Sequence, residues 1–273
     1  MPSVPLVVVP DPDDPECADV LVDVTVDGQA YRMVLDTGAA HTHLVADAHT
    51  AELPVMTSAD SAGALAAGRD DLVRVAGIAV GPIRVEALDV VRVPEDQPGG
   101  RHLLGMDVLA PWSIGLRLAA RRLEIAADDG RDAPAEPRDV QELEMDARGH
   151  SYVTLRWPGV TARACWDTGA GITVVDESFV HAHPQLFTDA GSAYGMDSTG
   201  AQVETPILTV AGPEIGGAQF AAHRVAVVDL SAANATLEIP MDVILGYPTI
   251  VQADWWMSFP QRRWGFTRVP EPT

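Results

Sequence analysis

The stretch MVLDTGAAHTHL, Met33–Leu44, is matched in the second half of the chain by ACWDTGAGITVV, Ala164–Val175. Both contain the four residues Asp-Thr-Gly-Ala at the end of an apolar run. The glycine in each copy allows the chain to turn sharply, because no Cβ obstructs the reversal. A short acidic turn that occurs twice in the same setting indicates a duplicated unit.

The repeat extends well beyond these four residues. Three blocks of the first half align with three blocks of the second half without internal gaps, and the offset between the copies grows from block to block. The growing offset corresponds to short insertions between the blocks, which surface loops tolerate. The aligned segments are Val22–Leu44 with Val153–Val175, the run from Ile78 with that from Pro213, and the run from Leu103 with that from Ile244.

The boundary between the two copies is expected in Ala126–Asp139, AADDGRDAPAEPRD. This stretch is charged and contains proline and glycine, a composition typical of a linker. The sequence therefore predicts two lobes, residues 1–132 and 133–273. The apolar runs in each lobe are short, rich in valine and bounded by Gly, Pro and Asp, which favours strands.

Each copy is predicted to begin with a hairpin that delivers the repeated aspartate at the end of its second strand. Alternating valines precede Asp27-Gly28 in the first copy, and Pro158-Gly159 occupies the same place in the second; such dipeptides favour tight turns. One short helix is expected after Leu103-Leu104-Gly105 and after Ile244-Leu245-Gly246. A closing hairpin is expected in each lobe, over Ser113–Ile125 and Trp255–Phe266.

The bulk composition excludes some classes of partner. The formal net charge is −21, so phosphate backbones would be repelled and nucleic acid is not an expected partner. No apolar tract is long enough for a membrane helix. Two cysteines make no disulfide framework, and the first residues, MPSVPLVVVPDPDDPE, do not fit a secretory signal. We therefore expect a cytoplasmic protein that contacts no membrane.

The repeated aspartates, Asp36 and Asp167, are the candidate catalytic residues. Repeats related by a twofold axis bring equivalent residues together near that axis. Two carboxyl groups in contact cannot both ionise cheaply, so they share one proton. Such a pair supplies an acid and a base to a water molecule between them, as hydrolysis of an amide requires.

These motifs resemble the aspartic proteases, and more narrowly the retropepsin-like branch. The resemblance lies in the doubled Asp-Thr-Gly-Ala, in the threonines Thr42 and Thr173 that follow the two turns, and in the doubled hydrophobic-hydrophobic-Gly motif. It implies an all-β fold of two β-barrel lobes related by a pseudo-twofold axis, with one short helix per lobe. It also implies aspartic endopeptidase activity, with both halves of the active site in one chain and hence a monomer.

The resemblance assigns roles by position. Asp36 and Asp167 match the catalytic pair, and the supporting positions are Thr37, Gly38, Thr168, Gly169, Gly105 and Gly246. Candidate substrate contacts are Ala39, His41, Ala170, Ile172 and Tyr194. Tyr194 falls in the second hairpin region that would cover the cleft, whereas the corresponding first region, Thr57–Val75, contains no aromatic residue.

Other chemistry is less well supported by the sequence. His41 with His43, and His181 with His183, are possible metal pairs, but neither has a Cys or carboxylate at a known ligand spacing. Cys165 aligns with Val34, so we interpret it as a packing residue. We expect no metal and no cofactor, and a polypeptide substrate. The alternatives are a peptide-binding module without turnover and a glycosidase with paired carboxylates, which would leave the repeat unexplained.

Overall fold

The computed structural model describes residues 2–62, 67–127, 137–196 and 202–269. Within these ranges the chain is built mainly of short β-strands, with four helices of one or two turns. The all-β, two-lobed fold predicted from the sequence is confirmed. The expected lobe boundary, between residues 132 and 133, lies outside the described residues.

The first lobe contains ten strands and one α-helix among its described residues. Its elements are β1 (Ser3–Pro10), β2 (Ala18–Val26), β3 (Gln29–Leu35), β4 (His43–Val45), β5 (Val55–Ala62), β6 (Ala67–Val80), β7 (Ile83–Val93), β8 (Leu103–Leu104), α1 (Met106–Leu109), β9 (Trp112–Arg117) and β10 (Arg122–Ala127).

The second lobe contains thirteen strands and three α-helices among its described residues. Its elements are β11 (Arg138–Glu142), β12 (Glu144–Met145), β13 (Ser151–Trp157), β14 (Val160–Trp166), β15 (Thr173–Asp176), α2 (Glu177–Ala182), β16 (Phe187–Met196), β17 (Gln202–Val210), β18 (Glu214–Ile215), β19 (Ala218–Gln219), β20 (His223–Val228), α3 (Ser231–Asn234), β21 (Val243–Leu245), α4 (Tyr247–Ile250), β22 (Asp254–Ser258) and β23 (Arg263–Arg268).

The predicted opening hairpins are present in both lobes. Strand β2 pairs with β3 around Asp27-Gly28, and β13 pairs with β14 around Pro158-Gly159. Asp27 and Gly28 both have positive φ, 49° and 85°, which suits a turn whose twist matches that of the strands. In the second hairpin Gly159 alone of the two turn residues has positive φ, 74°, because proline holds a negative φ. Each hairpin therefore ends its second strand directly before the repeated aspartate.

The two lobes place the repeated motifs in equivalent positions of their sheets. Strand β3 runs parallel to β8, and β14 runs parallel to β21. Strand β4 then pairs parallel with β7, as β15 does with β20. The Asp-Thr-Gly turn and the following Leu-Gly segment thus lie side by side in each lobe, which explains why both motifs are repeated together.

A shared antiparallel sheet joins the lobes. Its strand order is β11-β23-β22-β9-β10-β1, and β9 of the first lobe pairs with β22 of the second. The Ser113 and Ser258 hydroxyls meet across this junction at 2.8 Å. Strand β1 continues into the first lobe by pairing with β2 as well. The closing hairpins predicted near the end of each lobe are the strands that form this junction.

The core is continuous through both lobes and the junction between them. Valines, leucines and isoleucines that alternate along the strands fill the lobes. At the junction the core consists of aromatic side chains. Trp255 is fully buried, and its ring packs against those of Trp166, Phe220 and Trp264. Burial of this kind contributes roughly 25 cal/mol per Å² of apolar surface, so the junction stabilises the relative placement of the lobes.

The expectation of one short helix per lobe is correct for the first lobe and wrong for the second. Helix α4 is the expected one, at the position that α1 takes in the first lobe. Helix α2 stands where the first lobe has a single 3₁₀ turn, Thr50–Glu52. Helix α3 lies in the insertion that separates the second and third aligned blocks of the repeat, so the extra residues in the second lobe account for it.

Candidate active site

The two repeated aspartates face each other where the lobes meet. Asp36 follows β3 and Asp167 follows β14, and each lies in a tight turn whose backbone holds its carboxylate. Asp36 Oδ1 accepts the N–H groups of Gly38 and Ala39, both at 2.9 Å, and Asp167 Oδ1 accepts that of Gly169 at 2.8 Å. These bonds fix the carboxyl groups before any ligand binds.

The two threonines connect the turns across the lobe boundary. Thr37 Oγ1 donates to the Trp166 carbonyl at 2.8 Å, and Thr168 Oγ1 donates to the Leu35 carbonyl at 2.6 Å. Each hydroxyl oxygen also accepts the backbone N–H of the other threonine, at 3.1 and 3.2 Å. Both side chains are buried, so this reciprocal set locks the spacing of the two aspartates.

Glycine is required in both turns because the opposite carboxylate occupies the side-chain space. A Cβ on Gly38 would lie 2.5 Å from Cγ of Asp167. A Cβ on Gly169 would collide in the same way with Cγ of Asp36. Each lobe therefore accommodates the aspartate of the other, and the two carboxyl groups are in hydrogen-bonding reach.

The second motif supports the turns from behind. The N–H of Asp36 donates to the Leu104 carbonyl, and that of Asp167 to the Leu245 carbonyl, at 3.0 and 3.1 Å. A Cβ on Gly105 would lie 2.5 Å from the carbonyl carbon of His41, and a Cβ on Gly246 would overlap the Ile172 carbonyl. Both glycines therefore allow the supporting segment to approach the Asp-Thr-Gly turn closely.

The first residue of each supporting helix also binds an alanine of the turn. Met106 N–H, at the start of α1, donates to the Ala39 carbonyl at 2.8 Å. Tyr247 N–H, at the start of α4, donates to the Ala170 carbonyl at 2.9 Å. Ala39 and Ala170, predicted as substrate contacts, therefore anchor the turns to these helices through their backbones.

Burial raises the pKa of both carboxyl groups, and the charge of Asp167 raises that of Asp36 further. For Asp36, desolvation is the largest cause of the raised pKa, followed by the charge of Asp167 and the hydrogen bond to it. Desolvation also raises the pKa of Asp167, against lowering contributions from the Gly169 N–H and from the hydrogen bond with Asp36. The raised pKa values of the two carboxyl groups favour one proton shared by the pair, with Asp36 as the donor.

Different basic side chains flank the two aspartates. Arg101 lies on the side of Asp36 and is bound to Asp19 at 2.7 Å. His150 lies on the side of Asp167, and its Nδ1 is 2.7 Å from Asp146, whose side chain is almost completely buried. Asp19 and His150 occupy equivalent positions, since they are related by the same offset as Asp36 and Asp167. The repeat is therefore asymmetric in charge beside the carboxyl pair.

The remaining predicted contacts differ in placement. The exposed His41 side chain has Nδ1 3.8 Å from Asp107 Oδ2, an interaction that raises the pKa of His41. Ile172 is half-buried, and its backbone carbonyl lies against Gly246. Tyr194 lies on β16 with a side chain that is 78% exposed, and the structure does not bring it into the network of the two turns. The tip of the first predicted covering hairpin, residues 63–66, is outside the described residues, as is that of the second, residues 197–201.

The described residues contain no cluster of three or more His, Cys, Asp or Glu side chains placed to hold a metal ion. Cys165 is buried next to the second Asp-Thr-Gly turn, and burial raises the pKa of its thiol well above the ordinary value. A thiol in that state is a poor nucleophile, which agrees with its interpretation as a packing residue.

Two groups of supporting residues were not found from the sequence. Asp107 binds both the N–H and the hydroxyl of Thr42, at 2.8 and 2.6 Å. In the second lobe, the Thr173 hydroxyl is hydrogen-bonded to that of Thr249, which in turn is hydrogen-bonded to His223. The sequence carried a signal for Asp107 only, as a carboxylate shortly after a repeated glycine. His223 is distant from Thr173 in the sequence and becomes its neighbour only through the pairing of β15 with β20.

This fold and this paired-carboxyl site together define an aspartic-protease-type protein. Residues 22–111 match the family described as "gag-polyprotein putative aspartyl protease", and residues 153–249 match the family described as "Aspartyl protease". The two matches fall on the two halves of the repeat and include both Asp-Thr-Gly turns. The chain belongs to the retropepsin-like aspartic protease family.

Solved structures share the fold. The chain is similar to conglutin gamma, described as a unique basic 7S globulin from lupine seeds, with 10% identity and a TM-score of 0.54. The similarity covers 98% of this chain and 96% of the other. No curated protein sequence matches the chain. None of the helices in the described residues is long and apolar enough to cross a membrane.

Proposed function

We propose that this protein is an aspartic endopeptidase that hydrolyses peptide bonds with a water molecule activated between Asp36 and Asp167. The observation that carries the proposal is the pair of carboxyl groups held face to face by reciprocal backbone and threonine hydrogen bonds. Membership of an aspartic protease family supports the same reaction class. Contact between two buried carboxyl groups is unfavourable. A role in packing alone would therefore not explain why the pair is present.

The reaction uses the single shared proton. Asp167, as the ionised partner, takes a proton from the water, whose oxygen attacks the carbonyl carbon of the substrate. Asp36 donates its proton to the carbonyl oxygen, which gives a neutral tetrahedral gem-diol. In the collapse of the gem-diol, Asp36 takes the proton of one hydroxyl group and Asp167 gives its proton to the leaving nitrogen, so the pair ends with one proton, as it began. The raised pKa of Asp36 supports its role as the acid.

The substrate is a polypeptide in extended conformation lying across both turns, between the hairpins β5–β6 and β16–β17. Such a segment presents its backbone to the two lobes in equivalent ways, which fits a pseudo-twofold site. We further propose that the protein acts as a monomer in the cytoplasm, without metal, cofactor, nucleic acid or membrane. The shared sheet between the lobes supports the monomer, since one chain supplies both carboxyl groups.

The test is digestion of a diverse peptide library, with and without pepstatin, read by mass spectrometry. We expect internal cleavage that the inhibitor abolishes, with apolar residues at the cleavage site. Peptides that bind to the protein but remain intact would instead identify a peptide-binding module without turnover. The Asp36→Asn variant is the matched control, because it keeps the shape of the side chain and removes the carboxylate.

A further inference from the structure

A buried chain of hydrogen bonds supports the second catalytic turn from behind. The N–H of Gly246 donates to the Thr173 hydroxyl at 3.1 Å. The Thr173 and Thr249 hydroxyl oxygens are 2.8 Å apart, and the Thr249 hydroxyl is 2.7 Å from Nε2 of His223. All three side chains are buried. The chain connects an imidazole to the glycine on which the turn after Asp167 packs.

The direction of every bond in this chain follows from its two ends. Nδ1 of His223 is 2.9 Å from the Ala221 carbonyl, which can only accept, so Nδ1 carries a hydrogen. In a neutral ring Nε2 is then an acceptor, and the Thr249 hydroxyl donates to it. The Thr249 oxygen accepts the Thr173 hydroxyl, and the Thr173 oxygen accepts the Gly246 N–H. Each donor in the chain has one acceptor.

A competing contact does not change this direction. The amide nitrogen of Gln252 lies 3.4 Å from Nδ1 of His223, but it already donates to the Pro248 carbonyl at 3.0 Å. The oxygen of the same amide accepts the N–H of Ala221 at 2.8 Å, which fixes its orientation. Gln252 therefore holds the backbone beside His223 and leaves the Ala221 carbonyl to the imidazole.

In the first lobe the equivalent glycine and threonine are supported by a carboxylate instead of an imidazole. Gly105 N–H donates to the Thr42 hydroxyl at 3.1 Å, and that hydroxyl donates directly to the Asp107 carboxylate. In the alignment of the two copies, His223 and Thr249 stand opposite the apolar residues Leu88 and Val108. The imidazole relay thus belongs to the second lobe alone.

We propose that His223 is a positioning residue that holds the second catalytic turn firmly only while its imidazole is neutral. Protonation adds a hydrogen on Nε2 and forces the Thr249 hydroxyl to turn its own hydrogen towards Thr173. The Thr173 oxygen then receives two donors, and its own hydrogen loses the acceptor it had. A buried donor without an acceptor is unfavourable, so the Thr173–Gly246 support weakens in acid. As a role in catalysis, the proposal rests on the proposed peptidase function.

The surroundings of His223 favour the neutral form. Burial lowers its pKa, against smaller raising contributions from the Ala221 carbonyl and from the charge of Glu16. Arg224, the next residue on β20, is bound to Asp14 at 2.7 Å. The other elements around the imidazole contribute Thr173 of β15, Val210 of β17 and Phe179 of α2, none of which titrates in acid.

The sign of the stability effect follows from the lowered pKa. As pH falls below the ordinary histidine value of about 6.5, the unfolded chain binds a proton before the folded protein does. The contribution of His223 to stability is therefore complete above that value and is lost as pH falls towards its folded-state pKa.

Amide hydrogen exchange of the full-length protein, followed by NMR, tests the proposal without any substrate. Between about pH 7 and the lowest pH at which the protein stays folded, the protection factor of the Gly246 amide should fall about tenfold. The Gly105 amide, which occupies the equivalent position over Asp107, is the internal control and should stay within about twofold. Equal losses at both glycines, or no loss at Gly246, would overturn the proposal.

Two sets of variants make the test specific. His223→Gln should remove the pH dependence at Gly246, while His181→Gln, an exposed histidine on α2, should keep it. If His223→Gln does not fold, Thr249→Val should show low Gly246 protection at both pH values, and Thr249→Ser should restore the wild-type difference. A wild-type pH dependence in either His223→Gln or Thr249→Val would contradict the relay.

Activity supplies the second readout. In His223→Gln the acid limb of the kcat profile should move to lower pH with KM unchanged, whereas His181→Gln should reproduce the parent profile. If no peptide is cleaved at all, the peptidase proposal fails and the exchange experiment still decides the relay. If cleavage is normal and the Gly246 amide is insensitive to pH, the relay alone is wrong.

Discussion

Single residues give the two halves of the site different electrostatic surroundings, although their turns share the same four letters. Asp36 has a permanent cation nearby, Arg101, while Asp167 has His150, whose partner Asp146 is buried. Neither turn has a hydroxyl after its glycine, because the residues there are Ala39 and Ala170. The shared proton is therefore held mainly by burial and by the repulsion between the two carboxyl groups.

The missing hydroxyls lead to a prediction about pH. A Ser at position 39 or 170 could donate a hydrogen bond to the adjacent carboxylate, and such a bond favours the charged form and lowers the pKa. With alanine at both positions, we expect an optimum at about pH 4.5–6.5. The double variant Ala39→Ser, Ala170→Ser should move the alkaline limb of the kcat/KM profile down by about half a unit or more. Ala40→Ser is the control, and superimposable profiles for parent and double variant would refute the hydrogen-bond explanation.

The threonine pair leads to a prediction about stability. Thr168→Val removes the hydroxyl that donates to the Leu35 carbonyl and accepts the Thr37 N–H. Leaving buried backbone groups without partners should lower the free energy of unfolding by about 1–3 kcal/mol, as measured by urea denaturation. Thr168→Ser keeps the hydroxyl and should recover most of the loss. Equal stability of the Val and Ser variants would mean that the threonines do not fix the lobes in this way.

The strands and helices were predictable where one short segment determines its own structure. The hairpins around Asp27-Gly28 and Pro158-Gly159 and the helices after Gly105 and Gly246 follow from turn residues and apolar alternation. Strand β1 was not predicted, because Pro5 and Pro10 interrupt its apolar run. Its pairing with both β2 and β10 depends on residues at opposite ends of the first lobe, which local patterns cannot supply.

The candidate site was likewise predictable from the sequence only in part. The repeat was enough to predict that Asp36 and Asp167 meet near a twofold axis, whereas the supporting glycines and threonines were assigned by the resemblance to the aspartic proteases. The repeat could not indicate where the copies diverge. The equivalent threonines of the two lobes are hydrogen-bonded to different groups, Asp107 in the first lobe and the Thr249–His223 relay in the second. The register of β15 with β20 decides which residues meet in the second lobe.

The supporting segments lead to a prediction at the level of elements. Gly105 lies between β8 and α1, and a Cβ there would lie 2.5 Å from the His41 backbone. Gly105→Ala should therefore push α1 away from the first Asp-Thr-Gly turn and lower the free energy of unfolding by about 1–3 kcal/mol. Gly195→Ala on β16, where the nearest atom is 3.8 Å away, is the control. A Gly105→Ala protein as stable as the Gly195→Ala protein would show that the close approach is not needed.

The shared sheet makes the two halves of the site parts of one molecule. Strand β9 of the first lobe pairs with β22 of the second, and the aromatic cluster around Trp255 fills the junction. A dimer of single lobes would separate on dilution, since its association depends on concentration. A single chain with both carboxyl groups has no such dependence.

The oligomeric state can be read from activity. Specific activity should be constant as the enzyme is diluted through the nanomolar range, and light scattering should give the mass of one chain, 29.0 kDa. Specific activity that falls in proportion to enzyme concentration would show that the active species is an oligomer.

The proposed reaction depends above all on the carboxyl pair, and kcat/KM of Asp36→Asn and Asp167→Asn on the best-cleaved library peptide tests that pair. Each substitution preserves the side-chain shape and removes one of the two roles, so each should lower kcat/KM by about 10³-fold or more. Circular dichroism and urea unfolding serve as the check that both variants remain folded. If either variant is folded and retains more than about a tenth of the parent activity, that aspartate is not part of the mechanism and the proposed reaction is wrong.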